Sequence, residues 1–304
     1  MTLYLPLLLA TAFALLAPPL SRRLPPHVST WLLSAGALLA AAASSASLAL
    51  LAFTGLAQNP LLAAQAHWSD EVLHHHNPVA VPIGTAACAA TLILGYRFSV
   101  AFYRRVEAVR EAHALASALG SATGELAVLD SPQRQAFAVP GRPGRIAVTT
   151  GLLRSLDGAQ RRALLAHERS HLNHHHHLHH SLVHLAVSVN PLLNSLRPAV
   201  ELATERWADE DAAHVCRRGT VAAAVTQAAT GTRPATPAVV LAAGYTEVSA
   251  RITALSAPAP RLIAWQILLP AAVLTAAAIT VAIAMRDTEQ LFELAQHAYR
   301  AGQR

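Results

Sequence analysis

The sequence is poor in charge, in aromatic residues and in cysteine, and it contains no lysine. Only 13% of its 304 residues are charged and 53% are hydrophobic, whereas about 25% of the residues of a soluble domain carry charge. The missing charge indicates that lipid surrounds part of the chain. Aromatic residues make up 5% of the sequence, so no base-stacking platform is visible and we expect no direct nucleic-acid binding.

Positive charge is carried by arginine alone. We interpret the formal net charge of +6 mainly as charge that sets membrane topology, and only weakly as nucleic-acid affinity. The two cysteines, Cys88 and Cys216, are far apart, and Cys88 lies in an apolar run where it is expected to behave as a small hydrophobic residue. The cysteines therefore support neither a disulfide framework nor a cysteine-based metal site.

Four uncharged apolar runs are long enough to cross a hydrocarbon core, which requires about 20 helical residues. These runs are Leu3–Leu20, Val28–Leu56, Val79–Tyr96 and Leu262–Met285. Arginines follow the first and third runs, whereas the loop 57–78 contains none. Because arginine-rich loops stay in the cytoplasm, the pattern predicts a multi-pass protein of the cell membrane, in contact with the lipid bilayer, whose segment 97–261 is cytoplasmic.

The predicted fold is mainly α-helical, with a small β-sheet in the cytoplasmic part. We expect three transmembrane helices in residues 1–103, a cytoplasmic domain in 104–258, and a fourth transmembrane helix with a short outer tail in 259–304. Short β-rich runs at 125–130, 135–139 and 145–150 supply the sheet, and two Pro-Gly pairs between the second and third runs predict a tight turn.

The strongest chemical signal is an H-E-x-x-H match within "ALLAHERSHL", at His167, Glu168 and His171. Residues four apart share a helix face, so both imidazoles can reach one metal ion. Glu168 can then act as general base on a metal-bound water. The apolar periodicity around the motif predicts the helix that this chemistry needs.

A catalytic zinc site takes a third protein ligand and leaves one position open. Downstream, "ATERWADEDAA" places Glu205 and Asp209 four residues apart, so that on a helix they project together. Glu205 can complete a His₂Glu site, while Asp209 can accept a hydrogen bond from a ligand imidazole. An ordinary acidic helix face remains the alternative, because Glu201, Glu210 and Asp211 are close by.

The run "QAFAVPGRPGRIAVTTGLLRSLDGAQRRALLAHERSHL", followed by "ERWADEDAA", resembles the gluzincin membrane peptidases. That group includes the HtpX and CAAX-endopeptidase family and the related BlaR/MecR-type sensor peptidases. The matching positions are Ala136–Ala138, Ile146, Val148–Thr149, Gly151–Leu153, His167, Glu168, His171, Glu205, Ala208 and Asp209. The resemblance implies a cytoplasmic zincin domain in which His167, His171 and Glu205 bind one Zn²⁺ per chain and Glu168 is the catalytic base.

This sequence departs from the family pattern at two points. The segment after the fourth apolar run is too short for the extracellular sensor domain of the β-lactam sensors, which argues against direct antibiotic sensing. Arg169 stands in "HERSH" where a small or neutral residue is usual.

The stretch 172–196 carries no formal charge and is long enough to cross a bilayer. A single crossing would put His171 and Glu205 on opposite sides of the membrane, where one ion cannot bind both. We therefore predict that the chain turns back at Asn190-Pro191. The sequence leaves open whether this hairpin enters the membrane or lies inside the cytoplasmic domain.

The histidine run from His171 to His180 has two interpretations. His171, His174, His175 and His179 fall near one face of a continuous helix, which suits a second metal-binding site. A polar collar at the lipid headgroups is the alternative.

The resemblance also suggests how a substrate is bound. The strand Arg145–Thr149 is similar to the edge strand to which such peptidases add a protein or peptide substrate by main-chain hydrogen bonds. The oxyanion would need a further donor, for which His214 or an arginine after Glu205 is available.

Three functional classes follow from these observations. The first is a zinc-dependent membrane endopeptidase that hydrolyses cytoplasmic or membrane proteins, with Glu168 as general base on a zinc-bound water. The second is a signal-transducing peptidase that cleaves a partner transcriptional repressor. The third is a non-catalytic metal-binding membrane protein, against which the intact Glu168 argues.

Overall fold

The computed structural model describes residues 2–77, 79–119, 124–231 and 238–303. The described α-helices are α1 (Leu5–Ser21), α2 (Pro26–Leu56), α3 (Pro60–Ala66), α4 (Asp70–His76), α5 (Val81–Ala118), α6 (Thr150–Ser155), α7 (Gly158–Asn173), α8 (His176–Val189), α9 (Leu196–Val215), α10 (Arg218–Gly231), α11 (Ala238–Ser256) and α12 (Trp265–Gly302). The strands are β1 (Leu126–Leu129), β2 (Ala136–Val139) and β3 (Arg145–Thr149), and short 3-10 helices cover Thr2–Tyr4 and Pro191–Ser195. The predicted mainly α-helical fold with a small sheet is confirmed.

Within the described residues, four helices are long and apolar enough to cross a membrane: Thr2–Ser21, α2, α5 and α12. Each contains most of one predicted apolar run, but α5 and α12 continue beyond it. The backbone of α5 passes the expected domain boundary at 103–104 without a break and ends at Ala118. The residues expected as a short outer tail after Met285 continue α12 as far as Gly302. The domain boundaries themselves stay a prediction.

The helices α2 and α5 approach most closely at two glycines. A Cβ atom added to Gly84 would lie 2.3 Å from the Cα atom of Gly55, and the reverse substitution would clash equally. Only residues without a side chain allow two helix backbones to come so near. The pair therefore fixes where α5 crosses α2.

The apolar stretch after the H-E-x-x-H motif folds back on itself, as the positions of the expected ligands require. We call α8, the 3-10 helix Pro191–Ser195 and α9 the hairpin. Asn190 ends α8, and its side-chain oxygen accepts a hydrogen bond from the backbone amide of Leu192 at 3.1 Å, which caps the 3-10 turn. The predicted turn at Asn190-Pro191 is present.

The hairpin lies among the first two candidate spans. It shares a buried apolar core with α1 and α2, formed by Phe13, Leu33, Ala37, Val183, Leu193, Leu196 and Val200. His179 Nδ1 lies 2.8 Å from Ser34 Oγ, and Asn190 Nδ2 donates to Ser44 Oγ at 3.0 Å. The step from Ser34 to Ser44 is a rise of about 15 Å along α2, or about half of a hydrocarbon core of about 30 Å. The hairpin therefore packs along about half of the length that α2 would need to cross the bilayer.

The sheet has the order β1-β3-β2, with β1 parallel and β2 antiparallel to β3. Ile146, Ala147 and Val148 in β3 are fully buried, as expected for a strand with neighbours on both sides. The expectation that Arg145–Thr149 is a substrate-binding edge strand is therefore wrong, because β1 and β2 occupy both of its edges. The edges of this described sheet are β1 and β2.

Candidate active site

The helix α7, which carries "HERSH", begins with a capping box. Asp157 Oδ1 accepts hydrogen bonds from the backbone amides of Ala159 and Gln160, both at 2.8 Å, and the Gln160 side chain accepts from the amide of Asp157 at 3.0 Å. An N-cap of this kind stabilises a helix by about 1 kcal/mol. It fixes the start of α7, so that the helical repeat directs the motif toward α9.

The structure brings His167, His171 and Glu205 together. The two Nε2 atoms lie 3.1 Å apart, and the Glu205 carboxylate oxygens lie 3.5 Å from His167 Nε2 and 3.4 Å from His171 Nε2. A tetrahedral zinc site with bonds of about 2.0–2.1 Å has ligand–ligand distances of about 3.3 Å. Three donors with this spacing and this His₂-carboxylate chemistry fit a zinc ion. Among the described residues, this is the group of three His, Cys, Asp or Glu side chains close enough to hold a metal.

Asp209 lies on the same face of α9 as Glu205, one turn further on. Its Oδ1 atom is 3.0 Å from His167 Nδ1, on the side of the imidazole away from Glu205. A carboxylate in this position holds the ring orientation and keeps Nε2 free for a metal. The placement is the one that the four-residue spacing of Glu205 and Asp209 implied.

A further residue of the site, Arg251 of α11, was not singled out from the sequence. Its Nε and Nη2 atoms donate to the two oxygens of Asp209 at 2.8 and 2.7 Å, and Nη1 lies 2.7 Å from Glu205 Oε2. The guanidinium group therefore joins both acidic residues of α9. No local pattern distinguishes Arg251 from the other arginines, so contact information is needed to find it. His214, by contrast, is exposed near the end of α9 and does not line the site.

The electrostatics of the cluster favour ionised carboxylates. Burial alone would raise the pKa of Glu205, yet Arg251 and His167 hold that pKa well below its usual range. Burial opposes charge on His167, but the carboxylates of Asp209 and Glu205 outweigh it and raise the pKa of His167 to about 10. For His171, burial dominates and lowers the pKa to about 4. Glu205 and His171 are thus held in the deprotonated states in which these side chains bind metal.

Glu168 lies between α7 and the sheet. Its carboxylate accepts a hydrogen bond from the backbone amide of Ala138 in β2, while burial, the larger influence, raises its pKa. Thr149 pairs with Gln135 through its backbone amide. Along an antiparallel strand, successive residues direct their backbone N–H and C=O groups alternately toward and away from the neighbouring strand. Phe137 and Val139 therefore also bond to β3, whereas Ala136 and Ala138 direct their backbone groups away from it. The free edge of β2 therefore runs past Glu168.

A cavity of about 700 Å³ opens between β2, α7, α9, α10 and α11. Glu168 and the three clustered side chains line it on one side, and Gln135 together with the β2 residues Ala136–Ala138 lines it on another. His177 and His180 of α8 lie at its wall. The cavity is large enough for several residues of an extended peptide beside His167, His171 and Glu205, which we call the catalytic cluster because of the role proposed below.

Arg169, the departure from the family pattern, makes a contact outside the site. Its Nε atom donates to Glu125 Oε1 at 2.7 Å, and its Nη2 atom contacts the same oxygen. Glu125 immediately precedes β1, so the pair links α7 to the sheet. Both side chains are at least 40% exposed, and an ion pair so accessible to water contributes little to stability.

The histidine run does not form one helical face. The helix α7 ends at Asn173, and His175 adopts a left-handed conformation (φ 51°) before α8 begins. The predicted shared face of His171, His174, His175 and His179 is therefore wrong. His174 Nε2 lies 2.9 Å from Asp211 Oδ2 and its ring stacks on Trp207, so part of the run ties α7 to α9.

His176 is the member of the run closest to the catalytic cluster. It is 1% exposed, and its Nδ1 atom lies 2.8 Å from His171 Nδ1. A hydrogen bond at this distance requires that one of the two Nδ1 atoms carry the proton. Because Nδ1 of His171 faces His176, its Nε2 atom faces His167 and Glu205. His176 therefore supports the orientation of His171, as Asp209 does for His167.

Comparison with known proteins agrees with this geometry. Residues 103–233 match the model of peptidase family M48, a match that includes β2, β3, α7 and α9. This part of the chain is therefore similar to an M48 peptidase domain. A curated relative, the protease HtpX homolog of Acidiphilium cryptum (strain JF-5), is 43% identical over 68 residues, which are 22% of this chain and 24% of the relative.

The chain thus spans about a quarter of the length of the curated relative that it matches. No solved structure gives a significant match. Arg251 lies outside the matched M48 segment, and so do α1, α2 and α12. The segment matched to M48 therefore contains the clustered histidines and Glu205, while part of the site and most of the membrane-type helices lie beyond it.

Proposed function

We propose that the protein is a zinc-dependent endopeptidase of the cell membrane that hydrolyses peptide bonds in cytoplasmic or membrane proteins. The observation that carries the proposal is the joint position of His167, His171 and Glu205 around one point, with Glu168 beside them in the same cavity. The M48 match of residues 103–233 supports it independently, because that family is zinc-dependent.

His167, His171 and Glu205 would hold one zinc ion per chain. Zinc bound in such a site lowers the pKa of a water molecule and polarises the scissile carbonyl. Glu168 removes the proton from the attacking water and passes it to the leaving amine. The hydrogen bond from the Ala138 amide holds the Glu168 carboxylate in place for this transfer.

Arg251 acts in this scheme as a positioning residue. All of its contacting nitrogens are directed at the carboxylates of Asp209 and Glu205. It therefore fixes Glu205, the third zinc ligand, relative to Asp209, which orients His167. A planar guanidinium group suits this role, because it can donate to two carboxylates in one plane.

The substrate is an extended polypeptide that adds to β2. The outward-facing amide and carbonyl of Ala136 and the carbonyl of Ala138 offer hydrogen bonds along an edge that ends where the Ala138 amide binds Glu168, as inferred above from the sheet register. Main-chain pairing of this kind tolerates many side chains. The strand assigned to substrate binding is thus β2, in place of the central strand β3.

The active site faces the cytoplasm in this proposal. The arginines after α1 and along α5 mark the ends of spans that stay on the cytoplasmic side, and the segment matched to M48 begins at residue 103, within α5. In this proposal the four candidate spans cross the membrane, so the protein is multi-pass.

The proposal is tested by zinc content and proteolysis on the purified protein in detergent. We expect about one zinc per chain in wild type and in Glu168→Gln, reduced zinc in Glu205→Ala, and cleavage of an unfolded casein-type substrate by wild type only. Glu201→Ala, an exposed glutamate one turn earlier on α9, is the matched control and should keep both zinc and activity. Cleavage that survives Glu168→Gln, or full zinc content without Glu205, would contradict the proposal.

A further inference from the structure

A second cavity, of about 590 Å³, lies between α5 and the hairpin. Three arginines on one face of α5 and one on α9 line it: Arg97, Arg104, Arg105 and Arg197. We call this cavity the arginine cleft. His184, Leu185 and Ser188 of α8 complete its wall, so elements separated by about a hundred residues in sequence converge on it.

None of the described carboxylates forms an ion pair with an arginine of the cleft; Glu201, four residues after Arg197 on α9, acts on Arg197 only at longer range. The arginines that form ion pairs in the described part of the chain are Arg169, Arg218 and Arg251, and none of them belongs to the cleft. Arg97 donates from Nε to the Ser188 carbonyl at 3.3 Å, which engages a neutral acceptor only. Four guanidinium groups that line one cavity without a carboxylate paired to them leave an excess of positive charge, which favours an anion.

The arginines also repel one another. Arg105 and Arg197 are close enough for mutual repulsion, and the Nε atom of Arg197 is buried without a hydrogen-bond partner. Arg197 belongs to the hairpin, whose apolar side packs against α1 and α2. A cation in that position is costly unless an anion accompanies it. Topology-setting charge would need no such convergence, since it acts from any position in a flanking loop.

The surface beside the cleft is apolar. Leu92, Ile93 and Tyr96 precede Arg97 on α5, and their side chains are between 60% and 72% exposed. This stretch belongs to the third candidate span, so its exposed side chains are suited to acyl chains. A ligand that satisfies both surfaces has an anionic head for the arginines and a hydrocarbon tail for α5.

We propose that the arginine cleft binds the phosphate headgroup of an anionic phospholipid, with an acyl chain along Leu92, Ile93 and Tyr96. Basic pockets between membrane helices recognise acidic headgroups in this way. Arg104 and Arg105 contact the phosphate from α5 and Arg197 contacts it from the hairpin, so that the bound lipid joins α5 to α8 and α9. The site is separate from the metal cluster, and it does not depend on the proposed peptidase activity.

The test is lipid binding to the full chain, purified in detergent and measured by native mass spectrometry with phosphatidylglycerol and phosphatidylcholine. We expect wild type to bind one phosphatidylglycerol at least about tenfold more tightly than phosphatidylcholine. Arg104→Gln/Arg105→Gln/Arg197→Gln should lose about a hundredfold in that affinity. The matched control Arg110→Gln/Arg142→Gln/Arg154→Gln removes the same charge from exposed arginines that do not line the cleft, and it should bind like wild type.

Two further measurements decide the remaining cases. If the triple variant does not fold, Arg104→Gln alone, at an exposed side chain, should lose about fivefold, and unchanged binding would overturn the proposal. Inorganic phosphate that binds wild type as tightly as phosphatidylglycerol would also overturn it, because the cleft would then recognise free phosphate. Equal loss in the triple variant and its control would reduce the effect to net charge and contradict a defined site.

Discussion

Arg251 binds the two carboxylate oxygens of Asp209 through two different nitrogens, at 2.7 and 2.8 Å. Its remaining terminal nitrogen lies 2.7 Å from Glu205. Arg251 thereby couples Glu205, the expected third zinc ligand, to Asp209, which orients His167. The catalytic cluster therefore depends on a helix that follows the M48 segment.

Replacing Arg251 by methionine should destabilise the protein strongly. The Asp209 side chain is 3% exposed, and removing Arg251 breaks a buried ion pair and leaves His167 as the remaining partner of this carboxylate. Breaking a buried pair costs up to about 3–5 kcal/mol. We expect a lower midpoint of thermal unfolding in detergent and reduced zinc retention. Arg251→Lys should recover only part of the loss, because an ammonium group cannot donate to both acids in the same fork.

The control for this change is Arg218→Met. Arg218 pairs with Glu210 through two nitrogens, but the arginine side chain is 29% exposed, so water can replace the partner. Its loss should shift the unfolding midpoint much less and leave the zinc content unchanged. Equal effects at both positions would contradict a special role for Arg251.

A glycine comparison tests the crossing of α2 and α5. Gly84→Ala should destabilise the protein, because the new Cβ atom would lie 2.3 Å from Gly55 Cα and force the helices apart. Gly95→Ala lies on the same helix with nothing within 4 Å of the added atom, and alanine is the better helix former by about 1 kcal/mol. The midpoints of thermal unfolding should therefore move in opposite directions for the two variants. If both variants stabilise, the close approach of α2 and α5 is not formed.

The free edge of β2 is tested by Ala136→Pro. Residue 136 directs its backbone amide away from β3, so proline removes a donor from the substrate edge and leaves the β2–β3 pairing intact. One lost hydrogen bond corresponds to about a tenfold lower kcat/KM for a polypeptide substrate. Zinc content should not change, and Ala136→Val, which keeps the amide, should retain activity. Full activity in the proline variant would show that substrate does not pair at this position.

The sequence predicted those parts of the site that depend on short-range spacing. His167 and His171, and likewise Glu205 and Asp209, are four residues apart on single helices, so the helical repeat alone brings each pair together. The requirement that one ion reach both helices then predicted the turn at Asn190-Pro191. Each of these inferences needed only the local backbone and one distance constraint.

The remaining features depend on contacts that are distant in sequence. Arg251 meets Asp209 only because α11 returns to α9, and no periodicity marks it. The central position of β3 results from its parallel pairing with β1, whereas the turn predicted between β2 and β3 indicated only the antiparallel pairing of those two strands. The break at His175 was missed because a histidine run carries no glycine or proline to signal a left-handed residue.

Removal of zinc should loosen the hairpin before it affects the sheet. His171 on α7 and Glu205 on α9 lie on opposite sides of α8 in sequence, so one ion bound to both closes the loop that contains the hairpin. Metal that binds only the folded state stabilises it by its binding free energy. We expect chelation to increase amide hydrogen exchange in residues 172–204 more than in β1 or β3. Glu168→Gln should show the same zinc-dependent protection as wild type, since it changes the proposed base and leaves the ligands. In Glu205→Ala the protection should be low with or without zinc. Protection that does not respond to zinc in wild type would mean that packing against α1 and α2 holds the hairpin unaided.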